Sequence, residues 1–117
     1  MANLNEVVRG LAGREGVEAV LVLSGDGLPI EQASRATFDP ESLAALTATL
    51  LQYATRLGTG AARGALRNAV IEYERGVLLV AQFGAGDCLA ILASPDADIG
   101  PLLYDIREHR PALAALL

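Results

Sequence analysis

The sequence predicts an α+β domain (α/β in the broad sense), in which a helix precedes a β-hairpin, and a long helix, three more strands and a final helix follow. Apolar residues recur with helical spacing over residues 3–14 and 40–57. Between and after these helices, short aliphatic runs are separated by Gly-Asp-Gly and Arg-Gly turn signals, which is typical of strands. The chain of 117 residues has no linker, so we expect one domain spanning residues 1–117.

The segment Gly16–Ile30 is the strongest local signal. It reads as an apolar strand, a Gly-Asp-Gly turn and a second strand. Asp-Gly between two apolar runs predicts a hairpin with a type I′ turn, in which both central residues have φ > 0. The first strand, about 17–24, is apolar on both faces and should be central in its sheet. The second strand, about 28–33, carries Pro29, which cannot donate to a central ladder, so this strand should lie at an edge.

The long helix has a clear start signal, with Asp39 as the cap and Pro40 at the first helical position, and it should end near Leu57. Its large apolar residues follow a 3-4 pattern, which predicts a seam packed on the chain's own sheet. The members of this seam are Leu43, Leu46, Leu50, Tyr53 and Leu57. Most other positions are small and uncharged, which is unusual for a solvent-exposed face and predicts close approach by another protein. These small residues are Ala44, Ala45, Thr47, Ala48, Thr49, Ala54 and Thr55.

Three strands in series, about 66–74, 77–83 and 88–93, follow a Gly-rich link. The last two are apolar on both faces, are joined by a turn at 84–87, and should be central. The first alternates apolar and polar residues, which predicts a half-exposed strand. The final helix should end near Pro111.

Composition and charge argue against several classes of protein. The net charge of −5 disfavours a nucleic-acid-binding protein. No apolar run approaches the ~20 residues that a membrane-spanning helix needs, and no signal-peptide pattern opens the chain. The single cysteine, Cys88, cannot form an internal disulfide and fits a reducing compartment. We therefore expect a cytoplasmic protein that does not insert into membranes.

The motifs with chemical potential are weak. The Gly-rich segment 58–64 follows a helix and lacks the Gly-Lys-Ser/Thr ending of a phosphate-binding loop. Asp96 and Asp98 suit turn and capping roles better than metal binding. His109 and Cys88 lack the neighbours that activate such groups. The sequence therefore predicts no enzyme active site, no cofactor and no metal.

The chain resembles the Roadblock / dynein light chain family over about residues 3–110. Four segments in the same order carry the resemblance: GVEAVLVLSGDGLPI, DPESLAALTATLLQYATRLG, IEYERGVLLVAQFGAGDCLAILA and SPDADIGPLLYDI. The resemblance implies a profilin-like, five-stranded antiparallel sheet in the order 2-1-5-4-3, with the long helix on one face and two terminal helices on the other. It also implies a homodimer, formed through edge strand 66–74 and helix 40–57.

Within this family, the chain is most similar to short prokaryotic members of the MglB type, which are partners of a Ras-like GTPase. The resemblance implies a homodimeric regulator or adaptor that binds a small Ras-like GTPase through the surface of the long helix and stimulates GTP hydrolysis without donating an arginine. The alternative is a non-catalytic scaffold that recruits a kinase or motor component without affecting nucleotide turnover; a small-molecule sensor is a third possibility. The predicted partner and dimer contacts are Ala45, Ala48, Thr49, Gln52, Arg56, Ala69, Ile71 and Tyr73.

Overall fold

The computed structural model describes residues 3–84 and 86–117, which form a five-stranded antiparallel sheet with helices on both faces. In chain order the elements are α1 (Leu4–Ala12), β1 (Val17–Leu23), β2 (Pro29–Ser34), α2 (Pro40–Gly60), β3 (Asn68–Tyr73), β4 (Gly76–Phe83), β5 (Asp87–Ala93), α3 (Ile99–Glu108) and α4 (Arg110–Leu116). The strand order is β2-β1-β5-β4-β3, and every neighbouring pair is antiparallel. The predicted fold and sheet order are therefore confirmed.

Each face of the sheet has its own apolar core. On one face, α1, α3 and α4 pack on side chains that include Val20, Leu79 and Ile91. On the other face, α2 packs on side chains that include Leu21 and Val80. Strands β1, β4 and β5 are buried along almost their whole length, as their apolar patterns predict.

The two edges of the sheet are β2 and β3. Pro29 is the first residue of β2, where its missing N–H interrupts no central ladder. Strand β3 pairs with β4 and with no other strand in the described part of the chain. Its Ala69 and Ile71 pack against the core beneath α2. The outer backbone edge of β3 is thus open.

The β1–β2 hairpin is confirmed, but the predicted type I′ turn is wrong. The Gly27 N–H donates to the Ser24 carbonyl and the Ser24 N–H donates to the Leu28 carbonyl, both at 2.9 Å. Gly27 has a φ of +83°, whereas Asp26 is not among the residues with positive φ. This is the pattern of a three-residue loop, which ends in a left-handed glycine and so spares Asp26 the left-handed conformation.

Helix α2 begins where the sequence predicts. The Asp39 side chain accepts a hydrogen bond from the Glu41 N–H at 3.1 Å, and Pro40 lies in the first turn. The helix continues to Gly60 instead of ending near Leu57. No helix in residues 3–84 or 86–117 combines the length and the apolar character needed to cross a membrane.

The C-terminal segment differs from the prediction. The chain was expected to leave its last helix near Pro111, but it forms a second short helix, α4, and Leu113 of that helix is part of the core. Pro111 lies in the first turn of α4, where an N–H would have no helical acceptor in any case. Three helices therefore cover this face instead of two. The predicted turn at 84–87 includes Ala85, which lies outside the described residues.

Candidate protein-interaction surface

Helix α2 packs on the sheet through its small residues. Ala44 and Thr47 are 0% and 3% exposed, and Leu51 is buried with them. Ala48 is half-buried against the same core. A Cβ added at Gly27 would lie 3.2 Å from the Ala48 Cβ, so the hairpin turn approaches this face closely. The prediction that the small residues face away from the sheet is therefore wrong for Ala44 and Thr47. Their small side chains allow α2 to lie close to the sheet.

The large apolar residues of α2 stand in solvent instead. Leu46, Tyr53 and Leu57 are 65%, 63% and 74% exposed, and Leu50 is 37% exposed. They occur at i, i+4, i+7 and i+11, so they share one side of the helix, which we call the outer stripe. The prediction that this seam packs on the chain's own sheet is wrong for these four residues. Leu43, its fifth member, is half-buried against the core.

The outer stripe lies on the side of α2 nearest to β3. Ala54, one helical turn after Leu50, lines a cavity together with Asn68 and Val70 of the edge strand. Val70 and Tyr73 are themselves 46% and 56% exposed. The outer stripe and the open edge of the sheet are therefore neighbouring surfaces, and both present apolar side chains to solvent.

The opposite flank of α2 is polar. Gln52 and Arg56 line an open cleft of about 450 Å³ with Asp26 and Gln82. The Arg56 guanidinium lies over the ring of Tyr53, 5.6 Å from its centroid, which is a cation–π arrangement. This contact holds the cation against the helix surface.

The structure places the predicted contact residues on two neighbouring elements, α2 and β3. On α2, Ala48 is half-buried against the chain's own core, and the other four are exposed: Ala45, Thr49, Gln52 and Arg56. On β3, Ala69 and Ile71 are half-buried, and Tyr73 is exposed at the end of the strand. Their roles in binding stay predictions. The outer stripe was not predicted to be a surface, although the 3-4 pattern that defines it is present in the sequence.

A cluster of arginines at the start of β3 was also missed. The Arg110 guanidinium donates to the Gln82 carbonyl at 2.7 Å and to Asn68 Oδ1 at 2.9 Å, and it lies 4.8 Å from the centroid of the Phe83 ring. Burial, and then the charge of nearby Arg67, lower the pKa of Arg110. Four arginines line the cavity at this end of β3, and they form what we call the arginine cluster: Arg63, Arg67, Arg107 and Arg110. The members of the arginine cluster come from two segments that are far apart in the sequence, and only the fold brings them together.

Cys88 and the possible metal ligands are among the remaining groups of the described residues that could carry chemistry. The buried Cys88 thiol donates to the Gly86 carbonyl at 3.1 Å, and burial, followed by the charge of Asp87, raises its pKa to about 11. A nucleophilic cysteine needs a lowered pKa, so this thiol is unsuited to that role. Within residues 3–84 and 86–117, no three His, Cys, Asp or Glu side chains are grouped to hold a metal ion.

The sheet order and the single long helix on one face define a small α+β domain of the profilin-like Roadblock type. The sequence profile of the Roadblock/LC7 domain matches residues 3–93, and the chain belongs to this family.

Three solved structures illustrate the similarity. A Roadblock/LC7 domain from Streptomyces avermitilis is 29% identical, with a TM-score of 0.81, over 96% of this chain and 98% of that one. MglB from Myxococcus xanthus is 20% identical, with a TM-score of 0.87, over 96% and 92%. An MglB with a tetrameric arrangement is 19% identical, with a TM-score of 0.84, over 95% and 85%. No curated protein sequence matches the chain.

Proposed function

We propose that this protein is a homodimeric regulator of a small Ras-like GTPase. The observation that carries the proposal is the outer stripe, in which four large apolar side chains stand in solvent beside an open strand edge. Monomeric proteins rarely expose a contiguous apolar patch unless it binds something. The patch and the edge together fit a second copy of the chain.

The open edge of β3 supplies the backbone part of the proposed dimer contact. Its outward N–H and C=O groups have no partner strand in the described part of the chain, and such edges pair readily with another strand. Antiparallel pairing of β3 with β3 of a second copy joins two five-stranded sheets into one. The outer stripes of the two α2 helices then meet above the junction. Assembly is known for this fold, since an MglB adopts a tetrameric arrangement.

The polar flank of α2 is the proposed GTPase contact. Ala45, Thr49, Gln52 and Arg56 are exposed on the outer side of the helix, and Gln52 and Arg56 face away from the β3 edge. They stay accessible when the outer stripe is covered, and the dimer presents two such flanks. We propose a Ras-like GTPase as the partner because the chain resembles MglB-type regulators. The proposed site of action is the cytoplasm, where such a GTPase would act.

The proposed mechanism is a population shift in the GTPase. A regulator that binds the hydrolysis-competent conformation more tightly than the other conformations increases its population. Each tenfold rate increase obtained in this way requires only about 1.4 kcal/mol of differential binding. Arg56 is stacked on Tyr53, so we assign it no role as a catalytic arginine. An Arg56→Ala variant should therefore weaken binding of the GTPase but retain the stimulation once the complex is saturated.

The test measures GTP hydrolysis by a purified Ras-like GTPase from the same organism, with and without this protein, together with light scattering of the mixture. Thr49→Glu is the main variant, because Thr49 is exposed and its hydroxyl donates only within α2, to the Ala45 carbonyl at 3.0 Å. Ala48→Glu is less suitable, since Ala48 packs against the chain's own core. Ala114→Glu, at an exposed position of α4, is the matched control.

We expect faster hydrolysis and a complex that contains the dimer, both lost in Thr49→Glu and retained in Ala114→Glu. A complex with unchanged hydrolysis would instead identify a scaffold, the alternative function. If no complex forms, the GTPase is not the partner.

A further inference from the structure

The two ends of β3 carry opposite charges. The arginine cluster lies at the Asn68 end, whereas Glu72 and Glu74 are exposed at the other end. The acidic end stays negative even when Arg75, in the following turn, is counted. The described residues contain one ion pair, between Arg14 and Asp105, and neither end of β3 takes part in it. Each end thus lacks the counter-charge that the other end carries.

The arginine cluster is unusually short of negative partners. The cavity that it lines has no aspartate or glutamate among its lining residues in the described part of the chain. The pKa of Arg110 is lowered by burial and by the charge of Arg67. Its guanidinium donates to three oxygens of the chain, the Gln82 and Arg67 carbonyls and Asn68 Oδ1, although guanidinium has five N–H groups. A carboxylate placed here would offset the repulsion.

Antiparallel geometry restricts what a second β3 brings to this point. Residues directly opposite each other in an antiparallel pair share one face of the sheet. If both α2 helices lie on the same face of the joined sheet, one residue of β3 must lie directly opposite the same residue of the second copy. The two-fold axis then passes between these two equivalent residues, and the register is named by that residue. With the axis on Val70, Glu72 of the second copy lies opposite Asn68. With the axis on Ile71, Glu74 of the second copy lies opposite Asn68.

Both central registers therefore place a glutamate of the second copy beside Asn68, on the face where Arg110 binds that side chain. We propose that the arginine cluster is the receptor for Glu72 and Glu74 of a second copy of this chain, and that this ion pairing selects the partner strand and its register. The inference rests on the homodimer of the proposed function. The two-fold axis makes the contact occur twice, because each copy both provides and receives the glutamates.

A charge-reversal experiment tests this pairing. The acid-reversed variant carries Glu72→Arg and Glu74→Arg, and the base-reversed variant carries Arg67→Glu and Arg107→Glu. Arg110 is left unchanged because it holds α4 to the sheet. Light scattering measures dimerisation of each variant alone, and native mass spectrometry measures heterodimers in an equimolar mixture.

We expect each variant alone to dimerise about tenfold or more weakly than the wild type. In the acid-reversed variant arginines face the arginine cluster, and in the base-reversed variant two of the four arginines that face Glu72 and Glu74 are replaced by acids. We expect the mixture to recover dimers, and these should be heterodimers. One of their two contacts keeps the wild-type pairing of the arginine cluster with Glu72 and Glu74, and at the other contact the two reversed pairs of residues are again opposite in charge. The matched control for the acid-reversed variant is Glu15→Arg with Asp96→Arg. It makes the same change in net charge as that variant, at exposed positions away from β3, and should dimerise like the wild type.

Wild-type affinity in both reversed variants would overturn the ion pairing and leave the homodimer intact. A mixture that does not recover dimers would also overturn it. If that mixture fails, and a poly-glutamate peptide binds the wild type but not the base-reversed variant, the arginine cluster serves an acidic partner instead. A wild type that stays monomeric at all concentrations would overturn the homodimer itself.

Discussion

Leu57→Ala should weaken self-association strongly while leaving the monomer intact. The Leu57 side chain is 74% exposed, so the monomer gains little from it. Complete burial of a leucine side chain is worth about 1.5–3 kcal/mol, so burying the exposed three quarters in a dimer is worth about 1–2 kcal/mol. A two-fold dimer makes the contact twice, which gives about 2–4 kcal/mol, or a loss of roughly 30- to 1,000-fold in affinity.

The assay is sedimentation equilibrium over a concentration series, with denaturant unfolding at low concentration to check the monomer. Monomer stability should change by no more than about 0.5 kcal/mol, as for other exposed positions. Leu28→Ala is the matched control, because Leu28 is 63% exposed beside the β1–β2 turn and is not part of the outer stripe. The reasoning is refuted if Leu57→Ala associates as tightly as the wild type, or if Leu28→Ala causes the same loss.

Three further predictions concern the stability of the protomer. The folded-state pKa of Cys88, about 11, lies above the ordinary value of 9.0, so the unfolded thiol ionises first. Stability should therefore fall between pH 9 and 11, by at most about 2 kcal/mol, and denaturant unfolding of Cys88→Ala should lack this component. Gly27→Ala should lower the free energy of unfolding, measured with denaturant, by about 1–3 kcal/mol, because Gly27 has a φ of +83° and an added Cβ would crowd α2. Gly60→Ala, where an added Cβ meets nothing within 4 Å, should be neutral by comparison. Arg110→Met should lower the free energy of unfolding by about 2 kcal/mol, and with it the melting temperature, because the Gln82 carbonyl and Asn68 Oδ1 lose the guanidinium as their donor. An unchanged melting temperature would contradict this role.

The sequence predicts the sheet well, because a strand that is buried on both faces is apolar at nearly every position. Strands apolar on both faces are central, and Pro29 identifies an edge. Local rules also locate the start of α2 at Asp39. Pro111 was misread, because proline is compatible both with the end of one helix and with the first turn of the next.

The interaction surface could not be derived from α2 alone. Apolar spacing shows that Leu46, Tyr53 and Leu57 share one side of the helix, but it does not distinguish burial against the chain's own sheet from exposure to solvent. That choice depends on how closely the helix approaches the sheet, which Ala44 and Thr47 decide through their small size. The arginine cluster depends on contacts between residues distant in sequence, which no local pattern records.

The small inward face of α2 has a consequence for how the protomer holds together. The helix has 21 residues, yet only Ala44, Thr47 and Leu51 are buried, and two of these contribute little apolar area. Helices in proteins depend mostly on packing for their stability, so α2 is weakly anchored for its length. We expect its amides to exchange with solvent sooner than those of β4 and β5, through opening of the helix without loss of the sheet. A partner that covers the outer stripe would then complete the folding of this helix as well as bind it.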